Sequence, residues 1–104
     1  MFARKVSMHV KPENVTEFTR KLEKEVIPLL RKQNGFQDEI TFIAKDGMDS
    51  FGISLWDRKE SAESYHRGSY PEVAKILATV VEGTPQVQTY EVANSTLHKL
   101  AAAA

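Results

Sequence analysis

The sequence predicts one α+β domain with the element order β-α-β-β-α-β. Three observations carry that prediction. Residues 2–11, 36–42, 51–56 and 86–92 alternate apolar and polar side chains, the period of a half-buried strand. Val15 to Leu30 repeats apolar residues at three- and four-residue steps, the period of an amphipathic helix. A second helical repeat, Val73 to Val81, separates the third strand from the fourth.

In the first strand Phe2, Val6, Met8 and Val10 share one side, and Lys5, Ser7, His9 and Lys11 share the other. Arg4 interrupts the apolar side near its end, where its head is expected to reach solvent. Lys11-Pro12-Glu13-Asn14 is a helix start, with proline in the first turn and acid beside it. The helix then runs on Val15, Phe18, Leu22, Val26, Leu29 and Leu30, its outer side carrying Glu17, Arg20, Lys21, Glu23 and Lys24. Pro28 removes a backbone donor and is expected to kink or divide it. Gly35 stops it.

Phe36, Ile40 and Phe42 alternate with Gln37, Glu39 and Thr41, and Phe51, Ile53 and Leu55 alternate with Gly52, Ser54 and Trp56. Lys45-Asp46-Gly47-Met48-Asp49 joins the two strands as a hairpin. A polar helix opens at Asp57–Glu63, breaks at Arg67-Gly68-Ser69-Tyr70-Pro71, and resumes through Val81 to Gly83. Gly68 supplies freedom at the break, Ser69 a cap and Pro71 the next helix start. Thr84-Pro85 ends the helical region, and the last strand runs from Gln86 to Val92. The whole is the split-βαβ, ferredoxin-like arrangement: a four-stranded antiparallel sheet with both helices on one face. The sheet's second face, expected to carry Glu39, Thr41, Ser54, Trp56 and Tyr90, has the look of a chamber that closes against a second sheet.

The bulk properties bound the function. A chain of 104 residues is one domain, expected to span residues 1–104 with a tail that frays from about residue 96 through Ala101–Ala104. Fourteen basic residues balance fourteen acidic ones, so no field draws in nucleic acid or an anionic membrane. No segment approaches the roughly 20 apolar residues of a membrane span. The N-terminus lacks a signal peptide's apolar run, so a cytoplasmic protein is expected. There is no cysteine, which removes disulfides, thiolate metal sites and a cysteine nucleophile. The histidines have no metal-ligand spacing, so neither metal nor other cofactor is expected. No serine sits in a nucleophile elbow, and no glycine cluster forms a phosphate cradle.

The most unusual stretch is Tyr65-His66-Arg67-Gly68-Ser69-Tyr70-Pro71. It is a helix break that also reads as a pocket rim with aromatic walls and a cationic group. His66, near neutrality in its titration as a residue type, is the candidate proton acceptor. Trp56 and Tyr90 are candidate walls, and Tyr65, Arg67 and Tyr70 candidate rim groups. As a strand-end residue before a helix, Trp56 reads first as a packing anchor. His9 points away from the apolar side of its strand, toward a chamber or a dimer seam. His98 lies in the tail and is expected to be solvated.

The element order, Pro28-Leu29-Leu30-Arg31-Lys32-Gln33-Asn34-Gly35-Phe36, Ser54-Leu55-Trp56-Asp57 and the closing Thr89-Tyr90-Glu91-Val92 resemble the antibiotic biosynthesis monooxygenase-like superfamily over residues 2–95. The resemblance implies a homodimer whose sheets pack face to face as a dimeric α/β barrel, each subunit holding a small aromatic molecule between sheet and helices. It implies cofactor-independent monooxygenation of an aromatic or quinol-like substrate. The alternative is a non-catalytic small-molecule binding protein on the same scaffold. The haem-degrading branch resembles a set of Asn on the first strand, Trp early in the helical segment and His on the following helix. This chain has no Asn in residues 2–11, carries Trp56 on a strand, and has no His in residues 72–82.

Overall fold

The computed structural model describes residues 1–46 and 48–99. Gly47 of the hairpin loop, and the Ala101–Ala104 tail expected to fray, lie outside the described residues. Strand β1 (Phe2–His9) leads through a 3₁₀ turn at Pro12–Asn14 into helix α1 (Val15–Lys21). A wide turn, Leu22–Val26, joins α1 to α2 (Ile27–Arg31). Then follow β2 (Phe36–Phe42), β3 (Ser50–Trp56), α3 (Lys59–Gly68), α4 (Tyr70–Leu77) and β4 (Glu82–Glu91). The strands lie in the order β2-β3-β1-β4, with every neighbouring pair antiparallel. The α+β ferredoxin-like order that the sequence predicts is the order observed.

Pro28 acts without breaking the helix. It has no N–H to offer the carbonyl four residues back, and the turn before it widens to five-residue spacing, Ile27 N–H reaching Leu22 O. The long helical region therefore stays continuous, and Phe18, Leu22, Val26 and Leu30 all reach the core. Gly35 ends it at φ 81°, the left-handed region that glycine enters freely. Its carbonyl accepts from Asp57 N–H at 2.8 Å, which ties the start of β2 to the end of β3.

The break in the second helical region falls at Ser69, between α3 and α4. Ser69 places no side-chain cap on α4; its hydroxyl donates to Gln33 Oε1 at 3.4 Å and links the two helical layers. Helix α4 stops at Leu77, earlier than its apolar periodicity suggested, and β4 begins at Glu82. Pro85 thus lies inside a strand, which is tolerated because β4 is a sheet edge.

The largest departure from the sequence reading concerns which side of the sheet is which. The register aligns Phe2, Trp56 and Phe36, then Arg4, Ser54 and Glu39, then Val6, Gly52 and Thr41. Aligned residues share a face, and this face is the one under the helices, where Phe2, Arg4, Ser54 and Trp56 are buried. Glu39, Thr41, Ser54 and Trp56 therefore point inward. Ile40, Phe42, Phe51, Ile53 and Leu55, which alternation alone assigned to the core, lie on the outer face. A bulge at Gln37 sets the phase: Phe36 is inside with Trp56, yet the apolar residues after the bulge are outside. Tyr90 is on the outer face as expected, aligned with Ala3 and 48% exposed.

Arg4 is the second correction. It does not reach solvent but is 3% exposed among Phe2, Met8 and Val10. His98 is the third: it is half-buried, with its Nε2 in contact with Asp38 Oδ2. No helix among the described residues is long and apolar enough to cross a membrane.

Candidate functional site

Between the inner sheet face and the helices lies a cavity of about 50 Å³. Val6 and Met8 of β1, Leu22, Val26 and Leu30 of the first helical region, and Val73 and Leu77 of α4 make most of its wall apolar. The polar groups gather where Arg4, Ser54 and Glu39 cross the sheet side by side, under Tyr65 and Tyr70 of the helix break.

Two local features create that polar end. Gly52 lacks the Cβ that would stand 2.9 Å from Glu39 Oε2, so the carboxyl lies over the β3 backbone within the cavity. Thr41, two residues on and on the same face, donates its hydroxyl to Glu39 Oε2 at 2.7 Å. Burial pushes the Glu39 carboxyl above its ordinary value, and the Thr41 hydrogen bond only partly offsets this. Glu39 is thus a carboxyl poised to hold or take a proton inside an apolar chamber.

Arg4 sits opposite, one strand beyond Ser54. Its Nη2 donates to His66 Nδ1 at 2.9 Å. Its guanidinium carbon lies 4.1 Å from the Tyr70 ring centroid and 5.2 Å from that of Tyr65. Burial lowers its pKa from the ordinary guanidinium value, and the two tyrosines oppose that shift. It remains a cation. Burial also raises the Tyr65 phenol, to about 12, against the pull of Arg4, so Tyr65 is a hydrogen-bond donor and not a base.

The remaining candidates divide by position. Trp56 is fully buried, stacked on Tyr65 at 5.0 Å and 29° and edge-on to Phe36, with Nε1 donating to Ser54 Oγ at 2.9 Å. It backs the wall that Tyr65 presents, and does not line the cavity itself. His66 stacks on Tyr70 at 5.4 Å and faces an outer groove between α3 and β4, with Lys59, Glu63, Arg67, Val87 and Thr89. Among the described residues only Arg4 lines both that groove and the cavity. His66 therefore touches the cavity through Arg4. Arg67 is exposed on α3. Tyr90 stands on the opposite side of the sheet, and His9 borders a depression there with Lys5, Ser7 and Phe51. Among the described residues no group of three metal-ligating side chains forms.

The sequence reading brought Tyr65, Tyr70 and His66 together correctly as neighbours. It missed Arg4 and Glu39 as cavity residues. The available signal was the charge in an otherwise apolar strand face, and the glycine facing a glutamate.

No family model and no curated protein matches the sequence. The fold does match solved structures. A monooxygenase from Streptomyces coelicolor, in complex with nanaomycin D, superposes with a TM-score of 0.77 at 16% identity, covering 94% of this chain and 92% of that one. The heme-degrader MhuD of Mycobacterium tuberculosis, with two hemes in its active site, gives 0.72 at 16% identity over 92% and 99%. SnoaB, a cofactor-independent oxygenase from Streptomyces nogalater, gives 0.62 at 13% identity over 93% and 95%. At these identities the likeness is one of fold. The chain has the α+β ferredoxin-like fold of the solved antibiotic biosynthesis monooxygenases.

Proposed function

We propose that the protein is a homodimeric, cofactor-independent monooxygenase acting on a small aromatic or quinol-like molecule held between sheet and helices. The observation that carries this reading is the apolar chamber with Arg4, Glu39, Tyr65 and Tyr70 gathered at one end. An aromatic ring suits the apolar walls, and its oxygen suits the polar end. The two oxygenases of the same fold support the reaction class.

The chemistry needs no outside reductant. Glu39 takes the phenolic proton, Arg4 stabilises the resulting phenolate, and the electron-rich ring reduces dioxygen. One oxygen atom replaces a ring C–H as a carbonyl, the other leaves as water, and the phenol becomes a quinone. Tyr65, backed by Trp56, keeps one side of the ring dry. His66 acts on the substrate only through Arg4, and Arg67 stands at the outer lip. A cavity of about 50 Å³ is smaller than the roughly 150 Å³ that admits one benzene ring. Substrate entry therefore requires a side chain at the mouth to move, and half-buried Tyr70 at the helix break is placed to do so.

Single-ring and two-ring phenols incubated under isotopically labelled dioxygen should yield quinones carrying one labelled oxygen. Glu39→Gln should lower kcat by roughly 10²–10⁴-fold, the range of general base catalysis. Absence of label from every product, or a Glu39→Gln variant as active as the parent, overturns the oxygenase reading. Ligands that raise Tm without oxygen uptake would leave a binding protein in its place.

A further inference from the structure

We infer that the cavity is a receptor for an anionic oxygen on its ligand, a phenolate or enolate, read by Arg4 with neutral His66 as the positioning residue. The inference rests on the chamber being the ligand site, and not on oxygen chemistry taking place there.

A buried charge ordinarily stands next to its opposite, because removing it from water is costly and a counter-charge offsets that cost. Arg4 departs from this pattern. At 3% exposure it has no carboxylate within salt-bridge distance among the described residues. Glu39 lies two strands away across Ser54, Glu91 on β4 is aligned with Phe2 and exposed, and Glu63, on the same outer groove, pairs with Lys59. What holds Arg4 is an imidazole nitrogen and two aromatic faces. For Nδ1 of His66 to accept the guanidinium N–H it must carry a lone pair, which assigns the proton to Nε2 and leaves the ring neutral. Stacking on Tyr70 fixes the plane of that ring.

The consequence is a guanidinium fixed in place with its positive charge intact. A carboxylate partner would have fixed it equally well and neutralised it. The charge faces a cavity whose walls beyond the polar end of Glu39, Thr41, Ser54, Tyr65 and Tyr70 are apolar, where a charge-assisted hydrogen bond to an oxyanion is about twice as strong as a neutral one. A neutral ligand oxygen of the same shape gains much less. The ligand class is therefore a ring whose oxygen is ionised when bound.

The matched probes are 4-nitrophenol, ionised at mildly alkaline pH, and its neutral methyl ether 4-nitroanisole. Both are followed by calorimetry and by quenching of Trp56, which is the chain's single tryptophan and stacks on the cavity wall. The wild-type protein should bind the anion at least about tenfold more tightly. Arg4→Met should fold and abolish that preference while retaining the ether. His66→Glu, which supplies the missing carboxylate, should abolish it as well. His66→Gln, which keeps a neutral acceptor, should keep the preference within about threefold. Equal binding of the two probes, binding of neither, or a preference that survives Arg4→Met or His66→Glu overturns the inference. Anion preference without turnover on any phenol would remove the oxygenase reading and leave the receptor. Turnover with equal binding of the probes would do the reverse.

Discussion

Glu39 carries a strain that its surroundings do not fully relieve. Its carboxyl has one hydroxyl donor, no cation within salt-bridge distance among the described residues, and an apolar chamber in front of it. Burial raises its pKa above the unfolded value of 4.5. The folded state then binds a proton more readily than the unfolded one, so stability is fully present below the unfolded pKa and is lost as pH rises through the folded pKa. Glu39→Gln, which cannot ionise, should therefore be more stable than the parent at neutral pH. The two proteins should converge as pH falls toward about 4, because both are then uncharged at this position. Urea denaturation at a series of pH values measures the difference. A gap that stays constant, or widens toward acid, would contradict the assignment of Glu39 as a desolvated carboxyl. Arg4 and Glu39 are together the kind of residue whose retention costs stability, and such residues mark sites more often than cores.

At the scale of elements, the fold is positioned by a few backbone positions. Gly35 is one: at φ 81° it turns the chain from α2 into β2, and a Cβ there would overlap Asp57, just past β3, and Ser61 of α3. Gly35→Ala should cost at least about 2 kcal/mol, since the left-handed region alone costs a non-glycine residue about 1–2. Thermal melts should show a drop of roughly 8 °C or more for a domain of this size. A melt within a degree of the parent would mean that α2 and β2 can meet by another path. The same positions explain what the sequence could reveal. Period, turn residues and helix starts made the β-α-β-β-α-β order readable, because each is a local property. The side of the sheet was not readable from alternation, because one extra residue at Gln37 reverses the phase and alternation does not say which phase is inside. Trp56 carried the deciding information: the largest side chain of β3 belongs under the helices, and Ser54 and Gly52 follow it there. Arg4 read as an end-of-strand snorkelling residue because its partners, His66 and Tyr70, lie more than sixty positions away.

At the scale of the whole molecule, a broad apolar surface is left uncovered among the described residues. On the outer sheet face Phe42 stacks on Phe51 at 4.9 Å, and Ile40, Ile53 and Leu55 continue the patch across β2 and β3. Ile40 is 45% and Phe42 46% exposed. The β1–β4 half of the same face is polar, with Lys5, Ser7, Gln86 and Gln88, and Lys5 Nζ lies 4.7 Å over the Phe51 ring at the boundary. An apolar patch of this kind, rimmed by polar groups, marks a protein interface. The proposed homodimer would place a second copy on it: under a two-fold axis the apolar half of each sheet would cover that of its partner, and the polar halves would become the rim. Tyr90 and His9, on the outer side of the sheet, would then belong to the seam and not to the cavity. Because Ile40 and Phe42 are so exposed, Ile40→Glu and Phe42→Glu should change the stability of a single subunit by only about 0.5 kcal/mol. Each would still bury a charge at the centre of the pair. Light scattering after size exclusion should return twice the 11.7 kDa chain mass for the parent at micromolar concentration, and the single chain mass for either variant. A monomeric parent, or variants that pair as tightly as the parent, would remove the homodimer. The cavity opens on the other side of the sheet, so a monomeric variant that retains anion binding would show that the chamber belongs to one chain.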